Sequence, residues 1–213
     1  MRSVKITKIV EVAKDSFLLS FLRDFEFVAG QVIGINIGVV QPARLYSIAS
    51  GSSEEEIKIL FNLKDDGYLT PLLASSKPGN SIQISPPFGN FVCNEKEAWW
   101  IASGTGIAPF ASMISSGTAA GKTLIHGSRF LSNFYFQNEI APIMKASYIR
   151  CCSAESGVGI YSGRLTRYLK EREDLPTDKK YYLCGSADMV VDTRDILISK
   201  GIPYENIIAE IYF

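Results

Sequence analysis

Residues 98–110 read Ala98-Trp99-Trp100-Ile101-Ala102-Ser103-Gly104-Thr105-Gly106-Ile107-Ala108-Pro109-Phe110. The unbroken apolar run at 98–102 is the pattern of a strand covered on both faces. A Gly-x-Gly turn follows, and Pro109 then opens a helix where its missing N–H is no loss. Backbone without side chains can approach a phosphate closely, and the dipole of the following helix favours negative charge there. Gly-x-Gly alone is weak evidence. Its weight here comes from the strand before it, the helix after it, and its place as the first strand-to-helix turn of the segment that follows.

Working outward, short apolar runs at 98–102, 123–126, 148–152, 181–184 and 207–211 alternate with amphipathic stretches at 109–115, 135–145, 164–170 and 187–200. That alternation predicts a doubly wound parallel sheet. Upstream the period changes to two, in six short runs at 4–9, 17–22, 32–37, 45–48, 57–61 and 82–84 separated by Gly, Pro and Asp clusters. These predict a six-stranded antiparallel barrel. One helix interrupts them near Thr70-Pro71, where a hydroxyl cap precedes a proline at the first helical position. The texture changes across 94–97, so the expected domains are 1–94 and 95–213.

The chain has 213 residues, of which 46% are hydrophobic, enough for a sizeable core. Lys plus Arg equal Asp plus Glu at 22 each, so no overall field draws the protein to nucleic acid or to an anionic membrane. No run approaches the ~20 apolar residues of a membrane span, and residues 1–16 lack the apolar core of a signal peptide. Cys93, Cys151, Cys152 and Cys184 have no metal-ligand spacing, which predicts free thiols in a reducing cytoplasm and neither a metal site nor an iron–sulfur centre.

In Arg44-Leu45-Tyr46-Ser47, alternation puts Arg44 and Tyr46 on one side of a strand and Leu45 and Ser47 on the other. This is either an ordinary surface strand or a cofactor-binding one. A guanidinium forks onto a pyrophosphate, a phenol ring lies against an isoalloxazine, and a hydroxyl hydrogen-bonds a flavin ring nitrogen. Gly67-Tyr68-Leu69-Thr70 leads into the predicted helix, whose free N-terminal amides face an anion. In the second half, no acidic residue follows the second strand; the sequence there is His126-Gly127-Ser128-Arg129. A cation where an NAD site carries a carboxylate accommodates a 2′-phosphate, so the preference read from the residues is NADP, with NADH the other candidate. His126 is expected to be structural. Ser186 and Asp188 suit the N-terminus of the last helix as cap and dipole partner.

Taken in order, Arg44-Leu45-Tyr46-Ser47, Gly104-Thr105-Gly106 with Pro109, Cys184-Gly185 and the final Glu210-Ile211-Tyr212-Phe213 resemble the ferredoxin–NADP reductase family over nearly the whole chain, and its bacterial subclass through the extra aromatic residue after Tyr212. The resemblance implies a Greek-key barrel that binds FAD through Arg44, Leu45, Tyr46, Ser47, Gly67, Tyr68, Leu69, Thr70, Tyr212 and Phe213. It implies a second domain that binds NADPH/NADP through Gly104, Thr105, Gly106, Ser128, Arg129, Ser153, Arg164, Cys184, Gly185 and Asp188. The family's usual Ser-Arg-Glu segment reads Ser153-Ala154-Glu155 here, so one phosphate-binding arginine is missing. Ser47, Cys184, Glu210 and Tyr212 are then the catalytic set, with Tyr212 over the flavin face that nicotinamide must reach and hydride passing from nicotinamide to flavin N5.

The implied activity is electron transfer between NADPH and ferredoxin or flavodoxin by a monomer. Arg2, Lys5, Lys8 and Lys14, and separately Arg164, Arg167, Lys170 and Arg172, are candidate landing patches for an acidic carrier. The alternatives are a free-flavin reductase, an oxygenase reductase component, and a non-catalytic flavoprotein that senses redox state.

Overall fold

The computed structural model describes residues 1–38 and 42–212. The first sheet is antiparallel and holds β1 (Arg2–Ala13), β2 (Ser16–Leu22), β3 (Val32–Asn36), β4 (Arg44–Ser47), β5 (Glu56–Asn62) and β6 (Ser81–Ile84), in the order β4-β3-β6-β1-β2-β5. Its two edges meet through an antiparallel bridge between Ile48 and Ile59 and the Ala49 amide donating to the Lys58 carbonyl (2.8 Å), which closes the expected six-stranded barrel. Alternation turns Ile6, Leu19, Phe21, Ile33, Ile35, Ile57 and Ile59 inward, and α1 (Leu69–Ala74) adds Leu69 and Leu73 to the same core. Each such fully buried side chain contributes about 1.5–3 kcal/mol relative to exposure.

The second sheet is parallel: β7 (Ala98–Ser103), β8 (Lys122–Ser128), β9 (Tyr148–Cys152), β10 (Tyr161–Ser162), β11 (Lys180–Ser186) and β12 (Ile207–Tyr212), in the order β10-β9-β8-β7-β11-β12. Helices α2 (Ala108–Ser115) and α3 (Gln137–Met144) cover one face through Phe110, Met113, Ile140 and Met144. Helices α4 (Leu165–Glu171) and α5 (Ala187–Ser199) cover the other through Leu165, Leu169, Val190 and Leu197. Trp100 packs on the first face and Ile101 on the second, which is why residues 98–102 show no polar alternation. The chain runs from β7 through β8 to β9 on one side, then returns to place β11 on the other side of β7. The reversal between β7 and β11 is the point where an open α/β sheet leaves a crevice for a ligand.

The barrel joins the sheet through an apolar seam in which Ala49, Leu60 and Phe91 share a cluster with Trp100, Phe110 and Tyr182. Phe91 stands edge-on to both Phe110 and Tyr182 at 5.6 Å.

Two local expectations are corrected. Helix α1 begins at Leu69, so Thr70 lies inside it and caps nothing; its Oγ1 instead accepts from the Lys64 amide at 2.9 Å, fastening the loop that precedes the helix. Residues 104–107 form the expected turn, in 3-10 geometry, but α2 begins at Ala108, so Pro109 is its second residue and not its first.

Candidate functional site

Three elements far apart in sequence meet at the C-terminal end of the parallel sheet. Parallel pairing sets Cys184 beside Glu210 and Ser186 beside Tyr212, and β4 of the barrel brings Ser47 against them. The Tyr212 hydroxyl donates to Ser47 Oγ at 2.5 Å, and the Ser47 hydroxyl donates to Glu210 Oε1 at 2.7 Å. Thus side chains 163 and 165 positions apart form one hydrogen-bonded chain across the seam. Burial raises the Glu210 carboxyl above its ordinary value, with the Ser47 hydroxyl pulling the other way. Burial also holds the Cys184 thiol well above its usual range, and the Glu210 charge adds to that. Tyr212 is raised likewise, first by burial and then by Cys184 and Glu210. The cluster therefore keeps a neutral thiol and a neutral phenol beside a carboxylate that binds protons more readily than usual.

The barrel residues expected to hold a flavin lie on β4, in the loop before α1 and at the start of α1. The Arg44 guanidinium lies over the Tyr68 ring at 6.0 Å, and the Tyr68 hydroxyl donates to the Pro42 carbonyl. Leu45 is 60% exposed, a large apolar side chain next to a cation that has no ion-pair partner among the described residues. That pairing of an uncovered apolar residue with a free guanidinium fits a group with an aromatic body and a phosphate. Tyr46 packs on the barrel core, edge-on to Phe61 at 6.3 Å, and burial pushes its hydroxyl up to about 12. Leu69 turns its side chain into the barrel core, which leaves only its backbone to such a site. Phe213 lies outside the described residues.

On the sheet side, a cleft of about 590 Å³ opens between the two halves. Gly104, Ser128, Arg129, Ser153, Arg164 and Asp188 line it, all of them expected from the sequence. Gly104 has φ +54°, and a Cβ built there meets nothing within 4 Å, so a side chain would project into open space. Gly106 is needed for another reason: a Cβ on it would collide with the backbone of Cys184 and Gly185 at the β7–β11 reversal. Thr105 and Gly106 therefore shape the turn behind the cleft. Ser186 caps α5 by accepting from the Met189 amide at 3.4 Å, and Asp188 sits in the first turn. The volume, the bare glycine turn and the cations suit an extended dinucleotide.

His126 is fully buried, contacts the Tyr148 hydroxyl through Nδ1 at 2.9 Å, and is pushed down to about 3 by burial and then by Arg150. It is a structural side chain. All four cysteines are free and buried. Among the described residues no group of three or more His, Cys, Asp or Glu side chains is arranged to hold a metal, and no helix is long and apolar enough to cross a membrane.

The sequence pattern does not reveal the barrel's share of the cleft: Lys14, Asn62 and Lys64 line it from the opposite wall, with Tyr135 beside them. The basic patches are also partly neutralised. Arg2 pairs with Asp24, Arg167 with Glu171 at 2.7 Å and Arg172 with Asp174 at 2.5 Å.

Residues 100–195 match the family model described as an oxidoreductase NAD-binding domain. The chain is 27% identical over 219 residues to the flavodoxin/ferredoxin–NADP reductase of Escherichia coli, covering 89% of this chain and 87% of that one. It is 24% identical over 216 residues to the toluate 1,2-dioxygenase electron transfer component of Pseudomonas putida, covering 94% of this chain but only 64% of the relative's length. Among solved structures, a ferredoxin NADP+ reductase from Neisseria gonorrhoeae with bound FAD and NADP superposes with a TM-score of 0.89 at 22% identity, covering 100% of this chain and 98% of that one. The paired barrel and parallel sheet, the matching nucleotide-binding segment and these relatives together make the chain similar to the ferredoxin–NADP reductase family.

Proposed function

We propose that the protein is an FAD-dependent oxidoreductase that passes electrons between NADPH and ferredoxin or flavodoxin, with residues 1–94 as its FAD-binding domain and 95–213 as its NAD(P)-binding domain. The observation that carries this reading is the Tyr212–Ser47–Glu210 chain with Cys184 beside it, built from both halves of the molecule. Bound FAD supplies the exchange of an electron pair with a nicotinamide and of single electrons with a carrier.

The protein's own residues bind and orient. Arg44 and the backbone of residues 67–70 hold phosphate, while Leu45 and Tyr46 offer apolar surface. Gly104, Thr105 and Gly106 let the backbone approach the dinucleotide, and Ser128, Arg129, Ser153 and Arg164 hold its outer phosphate. Tyr212 would cover a bound flavin, and the tail would then have to move to admit a nicotinamide. Ser47 and Glu210 fix the tail, and Cys184 keeps a buried, uncharged thiol beside them, where a thiolate would repel an anionic ligand. Orientation supplies most of the catalysis, since no side chain need gain or lose a proton. Buried free thiols support a reducing cytoplasm, and a monomer is the working stoichiometry.

A second reading, the reductase component of an oxygenase, is favoured by the toluate dioxygenase relative. One experiment separates the two. FAD-loaded protein is mixed anaerobically with NADPH or NADH, and the reduced flavin is then challenged with ferredoxin and with flavodoxin. The proposal expects faster bleaching by NADPH and reoxidation by at least one carrier. Bleaching without reoxidation by either carrier overturns the carrier assignment, and protein that stays colourless with FAD overturns the whole reading.

A further inference from the structure

The cleft has a second wall that the glycine turn and the arginines of the sheet do not explain. Lys14 occupies the two-residue turn of the β1–β2 hairpin, between the paired residues Ala13 and Ser16, and Asp15 beside it takes a left-handed backbone at φ 58°. Ser16 pairs with Asn62, and the Asp15 carbonyl accepts from the Leu63 amide at 2.8 Å. The hairpin turn and the segment leaving β5 therefore run side by side and present Lys14 and Lys64 to one cavity. Two ammonium groups at one cavity make a local positive field that favours an anionic ligand. Both lysines are exposed, and neither has an ion-pair partner among the described residues.

The rim is held in place. Ser16 Oγ lies 2.7 Å from the Tyr135 hydroxyl and 3.0 Å from Asn62 Oδ1, and Asn133 Nδ2 donates to Tyr135 at 2.8 Å. This polar knot ties the barrel hairpin to the segment just after Arg129. β5 also lies against the 104–107 turn, so the chain that delivers Lys64 borders Gly104. Arg129 and Arg164 stand further along the sheet, after β8 and at the start of α4. Asp15, Asp188 and Asp192 face the same cavity, so four cations oppose three carboxylates and the lining keeps an excess of positive charge that suits an anion.

We infer that Lys14 and Lys64 bind the bridging diphosphate of the nicotinamide dinucleotide from the barrel side, opposite the Gly104 turn, so that the nucleotide is gripped by both domains. This rests on the dinucleotide reading above and adds to it a contact that offsets the alanine at position 154.

Calorimetry on FAD-loaded protein tests the assignment with two fragments. ADP-ribose carries the diphosphate without a 2′-phosphate, and 2′-AMP carries the reverse. The double variant K14Q/K64Q should bind ADP-ribose about tenfold more weakly, with a shallower salt dependence, and K14R/K64R should restore most of the loss. Affinity for 2′-AMP should stay within about twofold, and NADP+ and NAD+ should weaken by similar factors. Unchanged ADP-ribose affinity in a variant with an unaltered melting curve overturns the inference, and so does a loss confined to 2′-AMP. Wild-type protein that binds none of these ligands overturns the dinucleotide reading and this assignment with it.

Discussion

Ser47→Ala tests the cluster on which the functional reading stands. The hydroxyl accepts from Tyr212 at 2.5 Å and donates to Glu210 at 2.7 Å, so its removal leaves a buried phenol and a largely buried carboxylate short of partners. A neutral hydrogen bond is worth about 1 kcal/mol net and one to a carboxylate about 1.5–3 kcal/mol. Glu210 keeps some access to water, which replaces part of the second loss, so we take about 2 kcal/mol for the pair. Beyond Ser47, the end of the chain is held by the pairing of Gly185 with Ile211 and Ser186 with Tyr212 at the last rungs of an edge strand. The loss should therefore appear as local release of the tail and not as global unfolding. Amide hydrogen exchange reads this directly. Exchange at Ile211 and Tyr212 should accelerate about 30-fold, the equivalent of 2 kcal/mol, while the urea midpoint moves little. An acceleration under about threefold at these amides refutes the argument that Ser47 anchors the tail.

Four further outcomes follow from the same geometry. Because burial raises Glu210 above its ordinary 4.5, its contribution to stability is fully present below that value and is lost as pH rises through the raised one. The stability of wild type relative to Glu210→Gln should therefore fall from about pH 4.5 toward neutrality, and a flat difference in urea melts across that range refutes it. Gly106→Ala drives a methyl group into the Cys184 and Gly185 backbone, which should cost about 1–3 kcal/mol in urea and reduce NADP+ affinity; wild-type behaviour in both would contradict the close approach of β7 and β11. Tyr135→Phe removes the phenol that links Asn133 to Ser16, with an expected loss of about 1–2 kcal/mol, and an unchanged denaturation midpoint tells against the knot. Deleting residues 212–213 should tighten NADP+ binding in equilibrium titration, and unchanged affinity rejects a tail that shields the flavin face.

Much of the fold is legible in local pattern because each half states its period plainly. Residues 57–59 alternate as barrel strands do, and 98–102 do not, since Trp100 and Ile101 are each covered by a different helix layer. The Gly104 turn and the Ser186 cap are legible for the same reason: both are satisfied within a few residues of themselves. Thr70 shows where local reading fails. A hydroxyl before a proline fits a cap, yet the loop ahead of it competes for the oxygen, and the Lys64 amide takes it.

Lys14 makes the contrast sharper. By position it belongs with Arg2, Lys5 and Lys8 on one strand, but the left-handed turn at Asp15 and the neighbouring exit of β5 aim it at the cleft. The sequence by itself determined which segments form strands and helices, where the chain passes from barrel to parallel sheet, and which residue types bear phosphate or ring chemistry, since those follow from periodicity and side-chain character. Only the tertiary structure decided that Ser47, Glu210 and Tyr212 share one hydrogen-bonded chain and that the barrel forms one wall of the cleft lined by Gly104 and Arg129. Contacts across 163 positions depend on strand order and on the seam between two cores, and no local pattern in the chain encodes either.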